Sequence, residues 1–340
     1  MKKIKIIVVG VGPRGINWLK VIKRSSIVEL LGVCDLEQKT KQNLKLIGLS
    51  NIPFYTNLKK SIIELRPEIV LLSTPPFNRM KDIKICASFK LPILVEKPLA
   101  INIKEAKKIV DYMINKKLLL MVGLNFRYLP VTQKFKKLLN KKIVGKPAYA
   151  KFIYERWRDG KLKHLNKYPL VMKHPMLWEQ SIHHFDLIRY IYKSDVKTVY
   201  ALTWNPSWSM YKHDTNVSAL LELKNGMVVN YLGTWQGNFK KFNFEWRTEC
   251  DKGTIIQKDQ FSDLYYNKKD SSKLIKVSLK KITMWQDDAE FLLKDFIESL
   301  KNKRKIKTLG KDHLKSLYIV EACINSAKRG KKIDLKNDFI

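Results

Sequence analysis

The stretch Trp178-Glu179-Gln180-Ser181-Ile182-His183-His184-Phe185-Asp186 sets two adjacent imidazoles between two carboxylates. On a helix turning roughly 100° per residue, Glu179, His183 and Asp186 fall on one stripe about 60° wide, and His184 points about a quarter-turn away. A neighbouring carboxylate favours the imidazolium and holds its pKa near neutrality, where a general acid–base is most useful. His183 is therefore the candidate proton carrier, with Asp186 to orient it. The alternative for this stretch alone is a structural histidine with salt-bridged neighbours. Adjacent histidines rarely share one ion, and the chain has no H-E-x-x-H or C-x-x-C pair, so no metal is expected. A second candidate is Lys97 in Glu96-Lys97-Pro98. Its plain reading is an ion pair with Glu96. A third group is Arg127, Arg156 and Arg158, with His164 and Trp178, as substrate contacts. Paired guanidiniums recognise carboxylates and phosphates well. The alternative is that they pair with Glu155, Glu179 or backbone.

These side chains need elements to hold them. The run KIKIIVVG (3–10) reads as a buried parallel strand and ends in GVGPRG, where Gly10, Gly12 and Gly15 have G-x-G-x-x-G spacing. A helix follows, with Ile16, Leu19 and Ile22 at helical spacing, then a second strand ending at Asp35. The glycines allow a tight turn, close approach of backbone to a pyrophosphate, and close packing of helix on strand; the acid accepts from ribose hydroxyls. The cofactor reading therefore takes Gly10, Gly12, Pro13, Arg14, Gly15, Asp35, Ser73, Thr74, Pro75, Glu96 and Lys97. The carboxylate of Asp35 repels a 2′-phosphate and favours NAD over NADP, while Lys39 and Lys41 stand near enough to weaken that preference. Strands at 68–76, 91–98 and 118–123 alternate with helices, giving a doubly wound parallel sheet whose ligands lie beyond the carboxyl ends of the strands. Past residue 125 the pattern turns to period-two runs: 148–158, and two around Asn225-Gly226, a strong hairpin signal. These predict antiparallel strands of an open sheet with one face under helices. The long segment 159–178 is irregular, as functional loops often are.

GVGPRG, STPP, VEKPLA, VGLNFRYLP and HHFD occur in that order, and the ending GKDHLKSLYIVEACINSAKRGKKI extends the likeness over the chain. Together they resemble the Gfo/Idh/MocA family of glucose–fructose oxidoreductase, inositol dehydrogenase and their relatives. The resemblance implies an α/β protein: an NAD(P)-binding Rossmann domain over 1–124 and an α+β domain with a large, mostly antiparallel open sheet over 125–340. It implies interconversion of a secondary alcohol and a ketone on a sugar, sugar acid, nucleotide sugar or cyclitol. Lys97 would lie beside nicotinamide and substrate, with a cis bond to Pro98. His183 would be the acid–base, and Glu179 would bind an adjacent hydroxyl. Glu179 stands where the family has Asp, and Arg79 stands where a histidine often follows the T-P motif. Homo-oligomers, dimers or tetramers through the sheet, are the family tendency.

The bulk composition fits this. The 340 residues are 45% hydrophobic, enough for two cored domains. The four cysteines are far apart, which speaks against a disulfide framework or zinc ribbon and for the cytoplasm. Lys5 interrupts the apolar start and no small-residue cleavage site follows it, unlike a signal peptide; no run approaches the ~18 apolar residues of a membrane span. The net charge of +35 is spread along the chain, with clusters at 301–307 and 328–332 and no nucleic-acid motif, so it reads as a lysine-rich surface that helps attract an anion. Two rivals to a dehydrogenase remain: a cofactor-binding sensor of the same fold, and an enzyme that oxidises transiently for epimerisation or elimination.

Overall fold

The computed structural model describes residues 2–163, 165–239, 241–302 and 308–335, in two compact units. Unit 1 comprises 1–125 and 282–314; unit 2 comprises 126–281 and 315–340.

Unit 1 holds six parallel strands: β1 (Ile4–Val9), β2 (Val28–Cys34), β3 (Phe54–Tyr55), β4 (Ile69–Leu72), β5 (Ile93–Val95) and β6 (Leu120–Val122), in the order β3-β2-β1-β4-β5-β6. Its helices are α1 (Pro13–Arg24), α2 (Gln42–Lys45), α3 (Leu58–Leu65), α4 (Arg79–Ser88) and α5 (Ile103–Asn115). A parallel sheet covered on both faces needs apolar residues on both sides of each strand. Ile6, Ile7 and Val8 of β1 and all of β4 are buried accordingly. The strand order reverses at β1/β4, where the carboxyl ends form the crevice that binds ligands in such sheets. The two-residue strand β3 is too short to carry a periodic signal.

The segment 282–314 departs from the sequence-based boundary, which gave it to the second domain. It carries α8 (Asp287–Asn302) and the start of α9 (Gly310–Arg329). Arg24 of α1 pairs with Asp287 at 2.6 Å and Glu290 at 2.9 Å. Asn125 donates to Asp288, and Val122 N–H donates to Thr308 at 2.9 Å. All of these join residues more than 120 positions apart, so no local pattern reveals them.

Unit 2 holds α6 (Pro130–Asn140), α7 (Ile182–Tyr192), the rest of α9 and a nine-stranded sheet. The strands are β7 (Pro147–Glu155), β8 (Val196–Trp204), β9 (Asn216–Leu223), β10 (Val228–Thr234), β11 (Asn243–Cys250), β12 (Gly253–Gln257), β13 (Leu264–Lys268), β14 (Ile275–Lys276) and β15 (Ile333–Asp334). Their order is β14-β13-β12-β11-β7-β10-β9-β8-β15, and among these described strands only β7 and β10 pair in parallel. The Asn225-Gly226 hairpin is present: Gly226 has φ +84° and Leu223 N–H donates to Met227 at 2.8 Å. Period two sorts the faces. Ala150, Phe152 and Tyr154 of β7 and Val229 and Tyr231 of β10 are buried. Aromatic contacts of Phe152 and Tyr154 with His184, and of Tyr231 with Phe185, seat α7 on that face. The other face shows Tyr200, Leu202, Trp204 and Leu220 to solvent.

Candidate functional site

In unit 1 the glycine loop is built to admit a dinucleotide. Gly10 has φ +93°, a left-handed backbone that suits glycine. A Cβ on Gly15 would lie 2.0 Å from the Gly10 carbonyl oxygen, so only glycine lets α1 pack there. A Cβ on Gly12 would meet nothing within 4 Å, which leaves open space at the mouth of the α1 N-terminus. Ser73 Oγ donates to the Gly10 carbonyl at 2.8 Å and ties β4 to the loop. Thr74 Oγ1 is buried with no hydrogen-bond partner among the described residues. Asp35 accepts from Val11 N–H at 2.6 Å and Glu37 N–H at 2.9 Å, which fixes its carboxylate at the tip of β2. Lys39 is held by Glu37 at 2.7 Å, and that hydrogen bond raises its pKa, so this lysine is engaged beside Asp35. An open cradle, an orphaned hydroxyl and a fixed acid together fit NAD.

The Glu96-Lys97-Pro98 loop at the end of β5 is held by buried charges. Glu96 Oε1 accepts from Arg14 Nε and from Trp18 Nε1, each at 2.6 Å, and Glu96 reaches Lys97 through the backbone N–H at 3.3 Å. The Arg14 guanidinium lies 5.3 Å from the Trp18 ring and 5.5 Å from that of Trp285. Glu96 is thus a partner of α1. The Lys97–Pro98 bond is cis. Arg79, 1% exposed, turns inward from the start of α4 and donates to the carbonyls of Thr74, Glu96 and Pro98. One guanidinium therefore fastens the ends of β4 and β5 to each other.

In unit 2 the residues around His183 differ from the expected stripe. Met176–Ser181 forms a π-helical turn leading into α7. Its wider winding takes Glu179 out of α-helical phase with His183. Glu179 accepts from Tyr168 Oη at 2.8 Å. Asp186 does not orient His183: its oxygens accept from Arg127 Nε at 2.7 Å and Nη2 at 2.6 Å, and from Ser316 Oγ at 3.3 Å. The fork of Arg127 is engaged in that buried pair, so it supports α7 and is no open contact for substrate. The His183 ring is instead stacked on Phe126, with centroids 4.1 Å apart and planes 17° apart. Trp178 is buried at 4% exposure, as is His183. His164 lies outside the described residues.

His184 is the structural histidine of the pair. Gln180 Nε2 donates to its Nε2 at 3.0 Å, so Nδ1 carries the proton and donates to Tyr231 Oη at 2.8 Å. Tyr231 in turn donates to Ser181 Oγ at 2.8 Å. Burial pushes the His184 pKa down to about 3.

Two family profiles match these units. Residues 4–124 match the oxidoreductase family, NAD-binding Rossmann fold, and residues 132–256 match the GFO/IDH/MocA C-terminal domain. The chain belongs to the Gfo/Idh/MocA family. It is 24% identical over 351 residues to a D-apiose dehydrogenase of Rhizobium rhizogenes, covering 98% of each chain. It is 21% identical over 198 residues to a myo-inositol 2-dehydrogenase of Thermotoga maritima, covering 58% of this chain and 57% of that one. An oxidoreductase from Agrobacterium radiobacter, solved with NAD+, L-tartaric acid and magnesium, superposes with TM-score 0.88 at 21% identity over 98% of both chains. The Rossmann unit of this Gfo/Idh/MocA protein is thus an NAD-binding domain.

Three supports of this site escaped the sequence reading. Arg79 stood out only as a replacement for histidine, and nothing local shows that it turns toward backbone. Tyr168 lies in an irregular loop without periodicity. Phe126 adjoins Arg127 in the LNFRY motif, which was its one visible signal.

Replacing Arg79 with Met keeps the volume but strands buried carbonyls, each unsatisfied group costing about 1–3 kcal/mol. Arg79→Met is expected to lower the unfolding free energy by about 3 kcal/mol in urea titration; a change below about 0.5 kcal/mol, typical of a surface site, would show that the clamp carries no stability. For His184 the folded form stays neutral while the unfolded chain takes up a proton below the free value near 6.5. The unfolded state binds more protons between those two values, so stability falls as pH drops from about 6.5, by up to about 1.4 kcal/mol per pH unit. His184→Gln is expected to flatten the decline in thermal midpoint between pH 6.5 and 4.5; equal slopes in both proteins would contradict the assignment.

Proposed function

We propose that this protein interconverts a secondary alcohol and a ketone on a sugar or cyclitol with NAD. The observation that carries the reading is the built anchorage of the Lys97 loop at the carboxyl end of β5, inside an NAD-binding unit. The dehydrogenase names of the D-apiose and myo-inositol relatives point to polyhydroxylated substrates. When bound, NAD supplies the hydride acceptor. Lys97 donates to the carbinol oxygen and stabilises the charge that develops there. His183 accepts the hydroxyl proton; its ring is fixed by stacking on Phe126 and its partner His184 stays out of proton exchange. Glu179, oriented by Tyr168, accepts from a neighbouring substrate hydroxyl. The four cysteines are free, and burial raises the pKa of all of them, as suits a reducing cytoplasm. We further propose that a second copy of this chain covers the open face of the sheet. Tyr200 and Leu220 are directly paired there and 44% and 49% exposed, a contiguous apolar face of the kind that marks an interface.

Lys97→Met and His183→Ala are each expected to reduce NADH formation from the best polyol at least about 10²-fold, the usual worth of a positioned acid–base or charge-stabilising group. Full activity in both would remove the proposed roles, and turnover without net NADH would favour transient oxidation. Light scattering at micromolar concentration is expected to give a multiple of the monomer mass, which Leu220→Glu reduces; a monomeric wild type would refute the interface.

A further inference from the structure

Several of the described arginines are matched. Arg79 is satisfied by carbonyls, Arg127 by Asp186, Arg189 by Asp195 and Arg24 by Asp287. Arg156 and Arg158 are different. They continue the buried face of β7 past its last residue, two positions apart, so both follow Phe152 and Tyr154 on the side where α7 lies. The backbone there is pinned: Arg156 N–H donates to Thr234 at 3.2 Å and Arg158 N–H donates to Trp235 at 2.9 Å. The Arg158 guanidinium stands 4.1 Å over the Trp235 ring, and its Nη1 donates to Tyr211 Oη at 2.9 Å. Tyr211 Oη donates back to the Arg158 carbonyl at 3.1 Å, which closes the arrangement.

No described carboxylate lies within ion-pair reach of either guanidinium. The acids nearest in sequence are engaged elsewhere. Glu155 accepts from Asn243 at 2.5 Å, and Asp159 accepts from the Lys161 backbone at 2.8 Å. Both arginines act electrostatically on the hydroxyls of Tyr154 and Tyr211, so the two positive charges bear on one small region. The side chains of Arg156 and Trp235 both bear on the Tyr154 hydroxyl, a neutral acceptor that leaves the guanidinium charge unmatched. Two like charges bearing on one small region repel each other, and a matching anion relieves that repulsion while accepting hydrogen bonds.

We propose that Arg156 and Arg158 form an oxyanion subsite, so that the alcohol substrate carries a carboxylate or a phosphate in addition to its reacting hydroxyl. This deepens the function proposed above and rests on it for the chemistry, though not for the binding. A charge-assisted hydrogen bond contributes roughly 1.5–3 kcal/mol, equivalent to about tenfold to hundredfold in affinity.

The test compares a neutral hexose, a hexuronate and a hexose phosphate with the NAD-loaded protein, first by thermal shift and then by NADH absorbance. The expected result is that at least one anionic compound binds about tenfold or more tightly than the neutral hexose, and the preferred anion identifies carboxylate or phosphate as the source. Arg156→Met and Arg158→Met are expected to raise KM for that compound about tenfold to hundredfold with kcat little changed. Arg156, the more exposed of the two, decides the matter if the Arg158 variant does not fold. Preference for the neutral hexose, or unchanged KM in Arg156→Met, would overturn the subsite. Binding of the anion without NADH formation would leave the subsite standing and count against the dehydrogenase reading.

Discussion

The organisation of unit 1 depends on fixing the ends of two strands that have no hydrogen-bonded ladder beyond them. A parallel strand stops where its carbonyls lose their partners, and those carbonyls must then find donors or water. At β4 and β5 the donor is the guanidinium of Arg79, which reaches Thr74, Glu96 and Pro98 together. A planar fork with five N–H groups can do this, and a histidine with at most two cannot. The Lys97 loop is therefore placed by contacts to main chain, which do not depend on its neighbours' side chains. Arg14 and Trp18 add a second anchor through Glu96, linking the loop to the helix that follows the glycine turn. The same α1 that presents its N-terminus to a dinucleotide thus also braces the lysine.

The paired histidines show how adjacent residues of one type acquire different chemistry. His184 faces the sheet among Phe152, Tyr154 and Tyr231, where burial disfavours a charge and an amide N–H occupies the ring nitrogen that would be protonated. His183 lies against Phe126 on another side of the helix. Stacking fixes the plane of the ring. Asp186 is instead drawn to Arg127, whose bidentate geometry outcompetes a single imidazole N–H.

The sequence reading went furthest where one physical constraint acts over a short span. The glycine spacing, the acid at the tip of β2, the buried strands and the Asn225-Gly226 hairpin are local, and each is present. The faces of β7 and β10 followed from period two alone. It failed where winding or long-range partners decide. Assuming uniform α-helix put Glu179, His183 and Asp186 on one stripe, but the π turn shifts Glu179 and a distant arginine captures Asp186. The segment 282–314 was misplaced for the same reason, since its attachments to Arg24, Val122 and Asn125 leave no trace in its own periodicity.

The arginines gather these points into one comparison. Periodicity can say which face of an element an arginine occupies, but only the folded chain says what anion or carbonyl answers it. Arg79 and Arg127 are both answered from within the protein. Among the described residues, Arg156 and Arg158 at the end of β7 have no such answer. There the backbone is fixed by the Thr234 and Trp235 carbonyls, and the Arg158 side chain is fixed by a ring face and a phenol, neither of which neutralises charge. A protein could discharge such a pair with one acidic side chain at little structural cost. Leaving two guanidiniums without a carboxylate instead preserves their attraction for a group that arrives from outside.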